Sequence, residues 1–150
     1  MVGIDIVETA RIRRALDRWG QPYLRRIFTS REIAYCLSKA DPPQHFAARF
    51  AAKEAVFKAL GARRPRAFSW RWIEVLNDED GKPFLCLSER FRAGQSDSPG
   101  PLNFHVSITH TTHLAAAVVV TSADMPADCS TLDRELSSFS QMEWSTYERN

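Results

Sequence analysis

A chain of 150 residues with 44% apolar and 25% charged residues is long enough for one globular domain with a proper core. No apolar run approaches the roughly 18 residues of a membrane span, and no signal-peptide pattern opens the chain, so a membrane or exported class is not expected. The net charge of +2 hides an asymmetry: from Ser122 onward the chain carries −4, leaving +6 on the body, which points to an anionic partner.

Val2 to Val7, V-G-I-D-I-V, is β-branched enough to predict a buried strand. Alternation places Val2, Ile4 and Ile6 on one face and Gly3, Asp5 and Val7 on the other. Asp5 is the anomaly in this run. It either caps a neighbouring helix or serves a ligand, and Gly3 beside it leaves room for something large to approach.

From Thr9 to Trp19 the period becomes helical, with Ile12, Ala15, Leu16 and Trp19 as the inner stripe and Gly20 with Pro22 as the stop. Arg11, Arg14 and Arg18 fall on another face of this helix, near Arg13, and Arg25 and Arg26 follow the turn. A solvated face is the ordinary reading of such a run, but four arginines against one Asp17 is lopsided. Thr29 or Ser30 then caps a short helix, S-R-E-I-A-Y-C-L-S-K, before the loop A-D-P-P-Q.

The stretch that organises the chain is Phe46 to Gly61, F-A-A-R-F-A-A-K-E-A-V-F-K-A-L-G. Phe46, Phe50 and Phe57 form one stripe, and Ala48, Ala52, Ala55 and Ala59 form a small-residue stripe on the far side. A helix apolar nearly all round is buried. It nonetheless carries Arg49 and Lys53 on one flank, and Glu54 and Lys58 on the other. Charges forced toward a core must be paired, hydrogen-bonded or in contact with a metal or phosphate. Three cations against one carboxylate leave positive charge for an anionic ligand to balance.

The loop A-R-R-P-R-A-F-S follows, then strands over Trp70 to Leu76 and Phe84 to Leu87 joined by the turn D-E-D-G-K-P. Ser88 to Ala93 reads as a helical turn. F-H-V-S-I-T-H-T alternates cleanly, with His105, Ser107, Thr109 and Thr111 on one face, and T-T-H turns it into L-A-A-A-V-V-V as a terminal hairpin. His105, His110 and His113 raise a zinc site only weakly, because residues 105 and 110 point to opposite faces of a regular strand. Cys36, Cys86 and Cys129 lack metal spacing and an even count, which predicts a reducing, cytoplasmic setting.

Three motifs in this order, G-I-D-I-V-E, R-F-A-A-K-E-A-V-F-K-A-L-G and H-V-S-I-T-H-T, resemble the holo-acyl-carrier-protein synthase family, the short phosphopantetheinyl transferases. The resemblance covers about residues 2 to 121. It implies an α+β phosphopantetheinyl transferase-like fold with an antiparallel sheet packed on the long central helix. Residues 1–121 would form the transferase domain and 122–150 an acidic tail, a short helix or disordered. The implied reaction moves 4′-phosphopantetheine from coenzyme A to a serine of an acidic apo acyl carrier protein, leaving adenosine 3′,5′-bisphosphate. The carrier could serve fatty acid biosynthesis, with polyketide and peptide synthesis also open.

By the same resemblance, Asp5 and Glu54 match the magnesium-binding acids, and Lys53, Glu54 and Lys58 match the family's K-E-x-x-x-K. Arg49, Lys53, Lys58 and His105 are assigned to coenzyme A phosphates. A metal-bound water near Glu54 is the expected proton acceptor, with Lys58 as the alternative base. Arg11, Arg14 and Arg18 are assigned to carrier-protein docking, and the short type implies a homotrimer with sites between subunits. Two features depart from the family: Arg63, Arg64 and Arg66 stand in a loop that is usually glycine-rich, and the tail lies outside the resemblance. The competing reading is a basic nucleic-acid-binding module. It leaves Asp5 and Glu54 unexplained.

Overall fold

The computed structural model describes residues 1–61, 68–93 and 102–122; the arginine loop and the acidic tail singled out above lie outside the described residues. Strand β1 (Val2–Glu8) leads into helices α1 (Thr9–Ile27), α2 (Ser30–Leu37) and α3 (Pro42–Leu60). A single turn of 3-10 helix, Trp70–Trp72, precedes β2 (Ile73–Asn77), β3 (Pro83–Leu87), the short helix α4 (Glu89–Ala93), β4 (Asn103–His110) and β5 (Leu114–Ser122). β5 lies between β1 and β4 in an antiparallel sheet, while β2 and β3 pair as a separate antiparallel ribbon. Helix α3 packs across β1 and β5. This is the α+β arrangement the sequence predicts.

Helix α3 begins four residues before the predicted Phe46. Pro42 and Pro43 occupy its first turn, where a missing N–H breaks no helical bond. It ends at Gly61, whose φ of 54° favours glycine. Its interior is dominated by buried alanines, and these decide how closely it approaches the sheet. A Cβ placed on Gly3 would sit 1.9 Å from the Ala55 carbonyl oxygen and 2.5 Å from the Ala59 amide nitrogen. The large object that Gly3 admits is therefore the backbone of α3, not a ligand. Glycine on the strand and alanines on the helix let the two backbones touch.

That contact explains the burial pattern of β1, which corrects the expectation of a buried strand. Gly3 and Val7 are covered by α3, whereas Val2, Ile4 and Ile6 on the other face are 65%, 57% and 65% exposed. Val120 of β5, in register with Val2, is exposed too, as is Leu114 opposite Glu8. One face of the sheet carries the core and the other is a bare apolar surface.

Helix α1 also departs from expectation. Gly20, at φ 52° and ψ −136°, kinks it, but helical geometry resumes through Pro22 to Ile27, so Gly20 is a pivot and not a stop. Trp19 sits at the pivot and, although it keeps the spacing of Ile12, Ala15 and Leu16, is 54% exposed and not part of the core. At α2 the Thr29 hydroxyl accepts from the Glu32 amide and the Glu32 carboxylate accepts from the Thr29 amide, a reciprocal cap. The strand predicted from Trp70 begins only at Ile73, because Trp70 to Trp72 first make their 3-10 turn.

Candidate active site

Asp5 reaches the interior from the middle of β1, where it pairs with Ala117 of β5 and faces α3. Across from it, Lys58 donates a 2.8 Å hydrogen bond to Asp5 Oδ1, a partner 53 residues away in sequence. Glu54, one turn earlier on the helix, is half-buried. Burial pushes the Glu54 carboxyl above its ordinary value, and the nearby Asp5 charge pushes it the same way, against Lys58 and Arg11. Two carboxylates and two cations thus share one cluster where β1, α1 and α3 meet. The close backbone contact at Gly3 sets the distance between strand and helix.

The other predicted residues divide sharply. Lys53 is fully buried and every one of its ammonium hydrogens is engaged: Ile27 carbonyl at 2.8 Å, Glu32 Oε2 at 2.7 Å and Trp70 carbonyl at 3.1 Å. The assignment of Lys53 to coenzyme A phosphates is therefore corrected. Its role is to tie α3 to the end of α1, to α2 and to the 3-10 turn. Burial pushes the Lys53 ammonium down and the Glu32 carboxyl up, and their mutual attraction opposes both shifts.

Arg49 is buried as well. Its guanidinium lies 4.0 Å from the centre of the Tyr35 ring and donates to Asn77 Oδ1 at 2.8 Å. Its Nε–H has no hydrogen-bond partner among the described residues, so some donor capacity is left. Arg11, Arg14 and Arg18 are all exposed, as docking residues must be, while Arg13 is spent on Asp41 at 2.9 Å.

His105 is placed on the opposite side of the sheet. It pairs with Val120 of β5 and is exposed with Ser107 and Thr109, on the face shared with Val2, Ile4 and Ile6. Asp5 pairs with Ala117 on the face that α3 covers. Within one chain, His105 and the Asp5–Glu54 cluster are therefore separated by the sheet. The zinc reading finds no support: among the described residues no group of three or more His, Cys, Asp or Glu side chains is placed to hold a metal. His110 stacks edge-on against His45 at 5.1 Å instead.

The residue that sequence reasoning missed is Glu32. T-S-R-E is legible as a capping box, but nothing local says that the same carboxylate also accepts from Lys53 and from the Val75 amide at 3.0 Å. Glu74 was missed for a similar reason. It binds the Thr29 hydroxyl and the Arg31 guanidinium, both distant in sequence.

The carboxylate pair suits magnesium by its chemistry. Oxygen donors are its preferred ligands, and one or two carboxylates suffice when substrate phosphates and waters complete the octahedron. Asp5 and Glu54 would hold such an ion.

Comparison with known proteins agrees with this architecture. The family model of the 4′-phosphopantetheinyl transferase superfamily matches residues 1–119. A holo-[acyl-carrier-protein] synthase of Chlorobaculum tepidum is 44% identical over 119 residues, covering 79% of this chain and 95% of that one. Its counterpart in Chloroherpeton thalassium is 43% identical over 123 residues, covering 82% and 98%. Among solved structures, the Helicobacter pylori holo-[acyl-carrier-protein] synthase in complex with coenzyme A superposes with a TM-score of 0.67 at 31% identity, covering 81% of this chain and all of that one. These matches span nearly the full length of the relatives, and the family model covers the strand and helices that build the cluster. The chain belongs to the 4′-phosphopantetheinyl transferase superfamily.

Proposed function

We propose that this protein transfers 4′-phosphopantetheine from coenzyme A to a serine of an apo acyl carrier protein, releasing adenosine 3′,5′-bisphosphate. The observation that carries the reading is the meeting of Asp5, Glu54 and Lys58 across β1 and α3. The relatives named holo-[acyl-carrier-protein] synthase support it, as does the coenzyme A complex of the Helicobacter pylori enzyme.

The reaction forms a bond between the serine oxygen and a phosphorus of the pyrophosphate, and breaks the bond from that phosphorus to the departing adenosine bisphosphate. Magnesium, held by Asp5 and Glu54, would supply charge neutralisation to the pyrophosphate. Lys58 is half-exposed and has one hydrogen-bond partner among the described residues, Asp5, an exposed pair that can open toward phosphate when anionic substrate arrives. The hydroxyl proton passes to a water held near Glu54. Lys58 is the alternative base. Arg49, whose buried Nε–H has no partner among the described residues, and His105 are assigned to further coenzyme A phosphate contacts.

His105 reaches such a site only from another copy of the chain. Its place on the exposed apolar face with Val2, Ile4 and Ile6 supports a homotrimer with shared sites, in which that face is the interface. Residues 1–121 form the transferase domain in this reading, and 122–150 an appended acidic tail. The Cys36 thiol is free and buried, and burial pushes it up to about 12. Among the described residues no helix is long and apolar enough to cross a membrane.

Incubating an apo acyl carrier protein with coenzyme A, magnesium and the enzyme tests the proposal. Mass spectrometry should show the gain of one phosphopantetheine. An unchanged carrier mass, at every magnesium concentration, would reject it.

A further inference from the structure

The turn D-E-D-G-K-P joins β2 to β3, and the reaction proposed above makes no use of it. Its geometry is nonetheless tightly held. The Asp78 carboxylate accepts from the Asp80 amide at 3.1 Å and the Lys82 amide at 2.8 Å, and the Asp78 amide donates to the Lys82 carbonyl at 3.0 Å. Gly81, at φ 81°, takes the left-handed conformation that the turn needs. Its carbonyl accepts from Asn77 Nδ2 at 2.7 Å, and Asn77 Oδ1 accepts from the Arg49 guanidinium at 2.8 Å. One amide side chain thus connects the turn of the β2–β3 ribbon to helix α3.

That amide fits only one way round. Arg49 offers donors alone and the Gly81 carbonyl only accepts, so the oxygen faces the guanidinium and the NH2 group faces the turn. Arg49 also lies over the Tyr35 ring, 4.0 Å from its centre. Both of these supports are uncharged. A carboxylate at position 77 would orient the guanidinium and cancel its charge; an amide orients it and leaves the charge in place. The neighbours add to that charge. Lys39 stands 4.3 Å from the same ring centre, and His45, edge-on to Tyr35, leads to His110 at 5.1 Å. Asp41, which precedes α3, is engaged by Arg13 at 2.9 Å and Gln44 at 2.7 Å. Arg49 is only 4% exposed, and its Nε–H has no hydrogen-bond partner among the described residues. A buried cation with neutral supports and basic neighbours calls for an anion from outside the chain.

We propose that Asn77 is a positioning residue for coenzyme A: it holds the Arg49 guanidinium against Tyr35 with its charge intact for a coenzyme A phosphate, and the 78–82 turn holds Asn77. This rests on the coenzyme A reading above and deepens it with a residue that touches no substrate. The turn then has a function beyond joining two strands, because its shape decides where a charge on α3 points.

Calorimetric titration of the full chain with coenzyme A, in magnesium and without carrier protein, tests the proposal. Asn77→Ala should raise Kd by about tenfold. Asn77→Asp keeps an acceptor for Arg49 but neutralises it, so Kd should rise by a similar factor and respond less to salt. In an Arg49→Lys background, itself weakened, adding Asn77→Ala should cost less than about twofold more, because the group it aims is gone. Equal costs in the two backgrounds would show that Asn77 does not act through Arg49 and overturn the proposal. A lowered melting temperature with unchanged Kd in Asn77→Ala would reduce the residue to closing its turn, and wild-type affinity in Asn77→Asp would refute the need for a neutral acceptor. An Arg49→Lys protein with wild-type Kd would remove Arg49 from the site and the proposal with it. Failure of the transfer reading looks different: coenzyme A would bind with the differences expected here, yet no carrier protein would gain mass.

Discussion

Lys53 and Lys58 stand five residues apart on one helix, and each points its ammonium at a carboxylate from a different element. Their surroundings differ completely. Lys53 is sealed from water and holds three acceptors, so no position is left for a substrate atom. Lys58 is about half exposed and holds one among the described residues. An ion pair closed to solvent fixes the relative position of elements, whereas one that water reaches can exchange partners during a reaction. Sequence periodicity treats the two lysines alike; solvent separates them.

That contrast is open to direct attack. The largest effect should come from Lys53→Met, which strands Glu32 as a buried unpaired charge and costs about 3–5 kcal/mol, read by denaturant unfolding. Adding Glu32→Gln should return a good part of that loss, since the amide still accepts from Val75 and no charge remains. If the double variant is no more stable than Lys53→Met, the pair is not the unit described here.

Glu54→Gln should show the opposite profile. It keeps the shape and removes the charge, so kcat/KM should fall by at least about a hundredfold, measured by carrier-protein modification. Stability should hold or rise. Because the folded pKa of Glu54 lies above its ordinary 4.5, its ionisation costs stability as pH climbs through that folded value, and glutamine removes this cost. Near-wild-type turnover in saturating magnesium would sink the assignment.

A smaller effect belongs to His45, where α3 begins. Burial holds it below the ordinary 6.5, with His110, Arg49 and Lys39 acting the same way and Asp41 opposing. The unfolded chain therefore binds the proton first, and stability should decline as pH falls from about 6.5 through the lower folded value. His45→Gln should flatten that part of the thermal-melt profile while leaving the acid limb below it in place.

The sequence made the helix legible because its alanines, phenylalanines and terminal glycine carry local signals. It made Asp5 and Glu54 legible because carboxylates are out of place in apolar segments. Glu32 was not legible: it sits in an ordinary capping box, and its second function depends on a lysine 21 residues away. Trp19 keeps the spacing of the inner stripe yet is exposed, because it stands at the end of the straight segment, where Gly20 turns the chain away. The two faces of β1 were separated correctly, but which of them would be covered depended on the small residues of α3. The sidedness of His105 followed only once the strand order was known.

The contact at Gly3 bears on how this protein can vary. Where side chains separate two elements, a lost methyl group is absorbed by neighbours that shift. Where backbone meets backbone, as between Gly3 and Ala55, there is nothing to compress. The gauge between the carboxylate-bearing strand and the carboxylate-bearing helix is thus set by main-chain atoms, which every residue type shares. Drift among the phenylalanines and leucines elsewhere in the core can proceed without detuning the spacing of Asp5 and Glu54. At residue 3 itself no such freedom exists, since even one added carbon must prise the helix from the sheet.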